Sequence, residues 1–391
     1  MPEPEDLLLP AATRLVHIGP HKTGTSALQG AFHTSRQQLA EHGVHYAGKE
    51  LQPGRAALYV AGQPTLLGER TPQLGDWDEL VADVAAAGQQ RVVISSEFLS
   101  EADDAAAHPV VEELGGTAVH VVVTLRPLSK ILPSQWQQMV QNGLRTPYEA
   151  WLESIVKQPT GSATACRIWQ RHHHGRLVRR WAEAAGPERL TVIVVDENDP
   201  KALPRTFEQL LGLPNGFLVH EPDQANRSLT LAEAEIVRQI NRQFRALKWP
   251  EAIYARYVRR GAVLQLKTGR QPLPDEPRIA TPAWALSRAA ELGAEFADTI
   301  AGLGVRVIGD LPSLGRLPEY AAEPTADAIP ASAAAAAAQA VIGAVAVTGD
   351  HDPAQPVEDM RVRQVRTGTL LRAIAQRIAR RLTTPFRATD T

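Results

Sequence analysis

The stretch RLVHIGPHKTGTSALQ, residues 14–29, passes from an apolar run through a Gly-Pro turn and a lysine into a run of helix formers. An apolar run of this kind predicts a strand, and SALQ onward predicts a helix. A strand that turns into a helix in this way presents backbone N–H groups and the positive end of a helix dipole at the turn. Gly19 and Gly24 let the backbone approach an anion closely, Lys22 supplies a point charge, and Thr23, Thr25 and Ser26 supply hydroxyl donors. A loop so equipped suits a phosphate or sulfate group.

Outward from this turn the chain keeps the same rhythm. Short runs apolar on both faces predict buried parallel strands at 14–18, 91–95, 119–125, 190–195 and 305–308. Helices are predicted between and after them at 25–42, 77–87 behind an Asp76 cap, 127–142, 147–157, 166–185, 230–247 and 282–302. Thr146–Pro147 and Thr281–Pro282 read as cap-plus-first-turn pairs, and Thr230 with Glu233 reads as a capping box. The alternation predicts an α/β fold: a P-loop-like parallel β-sheet flanked by helices on both faces, with a helical C-terminal extension. The nucleotide-binding α/β domain is expected over 1–318, an alanine-rich segment and polar linker over 319–360, and a basic amphipathic tail over 361–391.

Composition narrows the function classes. Of 391 residues, 44% are apolar and 21% charged, with net charge −2, so the chain as a whole does not read as a nucleic-acid binder. Residues 361–391 carry eight Arg and one acid, giving the tail +7 and leaving the remainder near −9. The single cysteine, Cys166, excludes an internal disulfide and any multi-cysteine metal site. The acidic start MPEPEDLLLP does not read as a signal peptide, and no stretch reaches the roughly 18–20 apolar residues of a membrane span. A cytoplasmic protein is expected, membrane-peripheral if the tail binds lipid.

The loop differs from that of ATPases, which place the lysine after the second glycine and a magnesium-binding hydroxyl after the lysine. Here the order is Lys22, Thr23, Gly24, Thr25, which argues against ATP hydrolysis even though VIVVDE (192–197 region) resembles an acidic NTPase strand end. HIGPHKTGTSALQ instead resembles the 5′-phosphosulfate loop of sulfotransferases that use 3′-phosphoadenosine 5′-phosphosulfate (PAPS), in particular the bacterial branch similar to carbohydrate sulfotransferases. TLRPLSKILPSQWQQMV (124–140) also resembles that family, with Arg126 at a strand end and Ser134 eight residues later inside the next helix. The resemblance implies that Arg126 and Ser134 grip the 3′-phosphate. Eight helical residues span roughly 12 Å, within which a long arginine can reach back, and its guanidinium can bind phosphate bidentately. SSE (95–97), NRSLT (226–230) and GVRVIGD (304–310) also resemble the family, so that the likeness runs from residue 14 to about 312. Two features depart from it. Ala27 stands near the place where many cytosolic members stack a tryptophan on adenine, and LKTGRQ (266–271) does not match the basic loop over the 3′-phosphate and reads as a solvated surface loop.

The resemblance implies PAPS as co-substrate, 3′,5′-ADP as product, no required metal, and a hydroxyl or amine on a small-molecule or carbohydrate acceptor. Lys22 and the loop N–H groups would stabilise charge on the leaving phosphate. The acceptor must lose a proton to a general base. Glu97, at the end of the strand RVVISS, is the first candidate and His21 the second, whereas His17 reads as a satisfied core residue. The run His172–His174 reads as a wet or acceptor-facing basic surface, with Arg167, Arg171, Arg176, Arg179 and Arg180 on the same segment, because consecutive helical residues point about 100° apart and cannot share one ion. In the tail, Leu370, Ile374, Ile378 and Leu382 form one face of a basic helix that could dock on the acidic body, an anionic membrane or a partner protein. A sulfotransferase is the leading expectation. A P-loop nucleotide kinase and a non-catalytic nucleotide-binding adaptor acting through the tail are the rivals.

Overall fold

The structure is a computed structural model and describes residues 7–64, 70–157, 160–219, 227–248, 250–274 and 276–318. The linker and tail (319–391), with the helix expected there, lie outside the described residues. From the N-terminus the elements are β1 (Arg14–Ile18), α1 (Thr25–Thr34), α2 (Arg36–Glu41), β2 (Val44–Tyr46), α3 (Gly54–Val60), α4 (Leu74–Ala86), β3 (Arg91–Ser95), α5 (Asp104–Leu114) and β4 (Val119–Leu125). They continue as α6 (Leu128–Gln141), α7 (Tyr148–Leu152), α8 (Ala163–His172), α9 (His174–Ala185), β5 (Leu190–Val194), α10 (Ala202–Leu211), α11 (Leu231–Ala246), α12 (Glu251–Ile253), α13 (Leu264–Gly269), α14 (Ala283–Ala301) and β6 (Arg306–Ile308). The described residues fall into two compact units; the first takes in residues to 135, 148–222 and 281 onward, the second 136–147 and 223–280.

The first unit is built on one sheet in the order β2-β3-β1-β4-β5-β6, with every neighbouring pair parallel. Alternation along each strand splits its side chains between two layers. Val16, Ile18, Val92, Ile94, Val121 and Val123 face the side covered by α4, α5, α9 and α14, where Trp77, Val110, Trp181 and Ile300 pack. Leu15, Val93, Val122 and Ile193 face the other side, against Leu28 and Phe32 of α1 and Phe207 and Leu210 of α10. Burial on both faces is what the near-continuous Val/Ile/Leu runs require, each such side chain contributing roughly 1.5–3 kcal/mol. The expected parallel α/β sheet with helices on both faces is the observed one.

Helix boundaries moved where side chains cap in ways the pattern does not reveal. The span 25–42 breaks at Ser35, and 166–185 breaks at His173, whose Nδ1 accepts from the Arg176 N–H and so caps α9. The helix expected behind an Asp76 cap starts at Leu74, because Gln73 caps it and Asp76 returns as the third residue of the box. Thr281 caps nothing; its hydroxyl pairs with that of Tyr148 at 2.8 Å. Of 147–157, only Tyr148–Leu152 is α-helical, and Glu153–Lys157 winds as a π-turn. Strand β2 and helices α3, α5, α10, α12 and α13 had no expected counterpart; β2, α3, α12 and α13 are short, and α5 carries Pro109 in its interior.

In the second unit the expected capping box is present, with Thr230 and Glu233 exchanging hydrogen bonds at the start of α11. LKTGRQ is not a solvated loop. Its first residues belong to α13, and Arg270 is buried in ion pairs with Glu233 and Glu276, while Arg227 also engages Glu233. Among the described residues no helix is long and apolar enough to cross a membrane.

The reading of the histidine run as a wet surface is overturned. His172 and His174 are each 1% exposed, packed within the first unit, and neither ring nitrogen of His174 has a hydrogen-bond partner among the described residues. Desolvation pushes the His174 imidazole down to about 3 and the His172 ring well below its ordinary value. Burial likewise lowers His17 to about 3 and His120 to about 4. Above about pH 6.5, native and unfolded rings are both neutral and these groups have no effect on stability. Between about pH 6.5 and 4 only the unfolded rings take up protons, so stability falls as pH falls. We expect the thermal midpoint to drop by at least about 5 °C from pH 7 to pH 5, a window above the ordinary carboxylate range. Differential scanning calorimetry checks this, and replacement of His174 by Phe should recover part of the loss.

Candidate functional site

Four loops leave the carboxyl ends of neighbouring strands in the first unit: 19–24 after β1, 96–101 after β3, 126–127 after β4, and 195–199 after β5. The chain passes from the β2–β3 side of β1 to the β4 side here, the kind of reversal at which parallel α/β sheets hold ligands. The charged candidates Lys22, Glu97 and Arg126, with His21, lie on these loops, and Ser134 lies in α6.

The loop after β1 is shaped by two backbone constraints. Lys22 has φ of 75°, a left-handed conformation that is uncommon for a residue with a side chain, and Gly24 follows at φ 90°. Successive turns of this hand aim backbone N–H groups into a common concavity that suits an anion. Gly24 is also the cap of α1 and makes no side-chain cap bond, so the first N–H groups of α1 have no intrahelical acceptor. Gly19 is required by space: a Cβ there would stand 2.1 Å from Thr25 Cγ2 and 2.5 Å from Thr124 Oγ1.

Beneath the loop runs a buried polar line whose proton directions follow from one end. Thr23 Oγ1 donates to the Pro20 carbonyl at 2.8 Å, which can only accept. Thr124 Oγ1 therefore donates to Thr23 at 3.0 Å and His17 Nε2 donates to Thr124 at 3.2 Å; with the ring kept neutral by burial, Nδ1 accepts from Ser95 Oγ at 2.8 Å. Gln29 Nε2 closes the line by donating to Ser95 Oγ at 3.4 Å and to Glu97 Oε2 at 3.0 Å. His17 is thus a neutral, satisfied core residue, as the sequence suggested. Thr23, expected to offer its hydroxyl to a ligand, spends it on the loop's own foundation, and the buried Thr25 packs its methyl toward Gly19; Ser26 is exposed at the helix mouth.

Arg126 joins the loop directly. Its Nη1 donates to the Lys22 carbonyl at 3.3 Å, and its Nε bonds Glu197 after β5. Lys130 Nζ lies 3.5 Å from the other oxygen of the same carboxylate. Burial pushes the Glu197 carboxyl up, but the Arg126 and Lys130 interactions outweigh it and hold it below its ordinary range. Ser134 sits half-buried in α6, two turns beyond Arg126. The structure therefore brings Gly19, Lys22, Thr23, Gly24, Thr25, Ser26 and Arg126 together, while Ser134 stands further along α6.

On the β3 side, Glu97 accepts from Gln29 Nε2 on one oxygen and from Gln52 Nε2 on the other, each at 3.0 Å. It is held by amides, not by an arginine, and it ties α1 to the Gln52 segment. His21 lies against Phe98, ring centroids 5.5 Å apart, and its Nε2 meets Glu101 Oε1 at 3.2 Å. Arg171 Nη2 reaches the same oxygen at 2.9 Å. Glu101 had no signal in the sequence beyond being one more acid after β3, and Arg171 was read only as part of a charge run. Among the described residues no group of three or more His, Cys, Asp or Glu side chains could hold a metal ion.

No family model matches the chain, and no curated protein matches it. Among solved structures the chain is similar to a sulfotransferase from Alicyclobacillus acidocaldarius, with 16% identity over 66% of this chain and 97% of that one and a TM-score of 0.40. A likeness this distant carries no functional argument. The loop geometry must carry that argument by itself.

Because the space at Gly19 is closed by Thr25 and Thr124, Gly19→Ala is expected to cost roughly 1–3 kcal/mol of stability. Chemical denaturation measures it, and the same variant should lose anion binding at the loop, since the clash falls on the loop's own foundation.

Proposed function

We propose that the chain is a sulfotransferase that moves a sulfuryl group from PAPS to a hydroxyl or amine of a small metabolite or carbohydrate. The observation that carries this reading is the hydrogen bond from the Arg126 guanidinium to the Lys22 carbonyl. It sets a second cationic group, one able to bind phosphate bidentately, beside an anion loop whose own cation is Lys22. A donor with phosphate groups at two separate ribose positions uses both; a nucleotide bearing only a 5′-phosphate chain leaves the arginine on Glu197.

Sulfuryl transfer passes between two oxygens roughly in line, with charge building on the leaving phosphate oxygen. Lys22 and the N–H groups at the start of α1 would stabilise that charge, and the buried Thr23–Thr124–His17 line supports this by fixing the loop beforehand. Ser134, near the middle of α6, would complete the 3′-phosphate site. The proton released by the acceptor goes to the wall formed by His21 and the 97–101 turn, where Glu97 and His21 are the candidate bases. The kinase alternative lacks a lysine after Gly24, where the buried Thr25 stands instead.

The left-handed backbone at Lys22 separates its charge from its conformation. Lys22→Ala should keep the strain, remove the ammonium, and lower sulfuryl transfer by roughly 10²–10³. Lys22→Gly should lower transfer equally while leaving the thermal midpoint nearly unchanged, since relief of about 1 kcal/mol of strain offsets the entropy cost of glycine. Transfer from labelled PAPS across a panel of sugars, phenols and amines measures both; turnover of Mg-ATP with no use of PAPS would reject the reading.

Glu197 competes with any anion for Arg126 and Lys130. Glu197→Gln is expected to tighten binding of 3′,5′-ADP several-fold by removing a charge of the ligand's own sign. Isothermal titration calorimetry at low salt reads the change, and weaker binding would make Glu197 a support for Arg126 instead of a competitor.

A further inference from the structure

We propose that Glu101 is a positioning residue that holds His21 in the Nε2–H tautomer, so that His21 Nδ1 takes the proton of the acceptor during transfer. The inference deepens the sulfuryl-transfer reading and rests on it for the identity of the reaction.

An ionised carboxylate only accepts hydrogen bonds, so the 3.2 Å contact between His21 Nε2 and Glu101 Oε1 requires the proton on Nε2. Neutral His21 then carries its lone pair on Nδ1. Glu101 is a carboxylate held in place from several sides. Its side chain is 5% exposed, Arg171 donates to it at 2.9 Å, and Gln170 of α8 donates to its backbone carbonyl at 2.6 Å. Burial pushes the Glu101 carboxyl up, yet the His21 hydrogen bond and the Arg171 charge outweigh it and keep it below its ordinary range. The imidazole is packed edge-on against Phe98, which fixes its plane.

Position supplies the rest. His21 immediately precedes Lys22, so the ring belongs to the same anion loop as the ammonium that stabilises the leaving group. Glu97 is less suited to the proton, because both of its oxygens already accept amide hydrogens from Gln29 and Gln52. The step balances as follows. The acceptor O–H gives its proton to Nδ1 as its oxygen bonds sulfur; the bond from sulfur to the bridging phosphate oxygen breaks, and its electron pair stays on that phosphate. The imidazolium formed is stabilised by the buried Glu101 carboxylate and returns its proton to solvent.

The test uses the full chain labelled with ¹⁵N-histidine, in which Glu101→Gln, Glu101→Asp and His21→Ala are compared with the wild type. Long-range ¹H–¹⁵N spectra near pH 7.5 identify His21 by its loss in His21→Ala and report which ring nitrogen carries the proton. The expected result is an Nε2–H ring in the wild type, a mixture of tautomers in Glu101→Gln, and return toward Nε2–H in Glu101→Asp. Kinetics use PAPS with water standing in for the acceptor and follow release of 3′,5′-ADP. Glu101→Gln should lower kcat by roughly 10–100-fold with the KM for PAPS within about twofold, and His21→Ala by about 10²-fold or more. An Nδ1–H ring for His21 in the wild type overturns the proposal even if neither Glu101 variant folds. So does an unchanged kcat in Glu101→Gln when wild-type turnover is present. Failure of the wild type to bind 3′,5′-ADP in a parallel calorimetric titration would instead overturn the sulfuryl-transfer reading, and with it the role given to Nδ1, while leaving the measured tautomer as it stands.

Discussion

A single buried hydrogen-bonded line, from the Pro20 carbonyl through Thr23, Thr124 and His17 to Ser95, holds the first unit's 19–24 loop against three adjacent strands. Each member is fully buried, so each would cost roughly 1–3 kcal/mol if left unpaired. The carbonyl end fixes the protons as far as His17 Nε2–H, and burial, which keeps the ring neutral, leaves Nδ1 to accept from Ser95. The loop above inherits this order: Lys22 can be held left-handed and Gly19 pressed between Thr25 and Thr124 because the layer below does not yield. Strain of this kind persists only where the surroundings over-determine it.

Around that foundation the charges are arranged in opposed pairs. On the β4–β5 side Arg126 and Lys130 share Glu197, and on the β3 side His21 and Arg171 share Glu101. The two acids differ in burial, with side chains 31% and 5% exposed. The exposed one can give up its arginine to an incoming anion at modest cost, since partly solvated pairs are weak. The buried one cannot, because breaking such a pair leaves a charge without a partner. One carboxylate is therefore suited to exchange and the other to fixing geometry.

Much of the frame was legible. The strands at 14–18, 91–95 and 119–125 are observed at those bounds because runs buried on both faces leave an unmistakable apolar signature. The turn from β1 into α1 was legible too, and Arg126 lies against it through the Lys22 carbonyl. What was hidden depended on contacts between distant segments. Nothing local distinguishes Thr23, which serves the loop's foundation, from Ser26, which is exposed at the helix mouth. His172 and His174 read as wet because a histidine-arginine run is polar in composition, whereas the break at His173 turns both neighbours into the core. LKTGRQ failed for a similar reason: its arginine is matched by Glu233 and Glu276, one of them 37 residues away in sequence. Glu101 became visible only once α8 and the turn after β3 were placed side by side.

On the proposed function, Lys22 and Arg126 grip different ends of one doubly phosphorylated adenosine. The direct measurement is calorimetric binding of 3′,5′-ADP and of 5′-AMP to the wild type, Lys22→Ala and Arg126→Ala, without Mg²⁺. Removing Lys22 should weaken both ligands, and removing Arg126 should weaken 3′,5′-ADP by at least about tenfold, or about 1.4 kcal/mol, while leaving 5′-AMP nearly unaffected. Equal losses for the two ligands in Arg126→Ala, or no preference of the wild type for 3′,5′-ADP, would contradict the account.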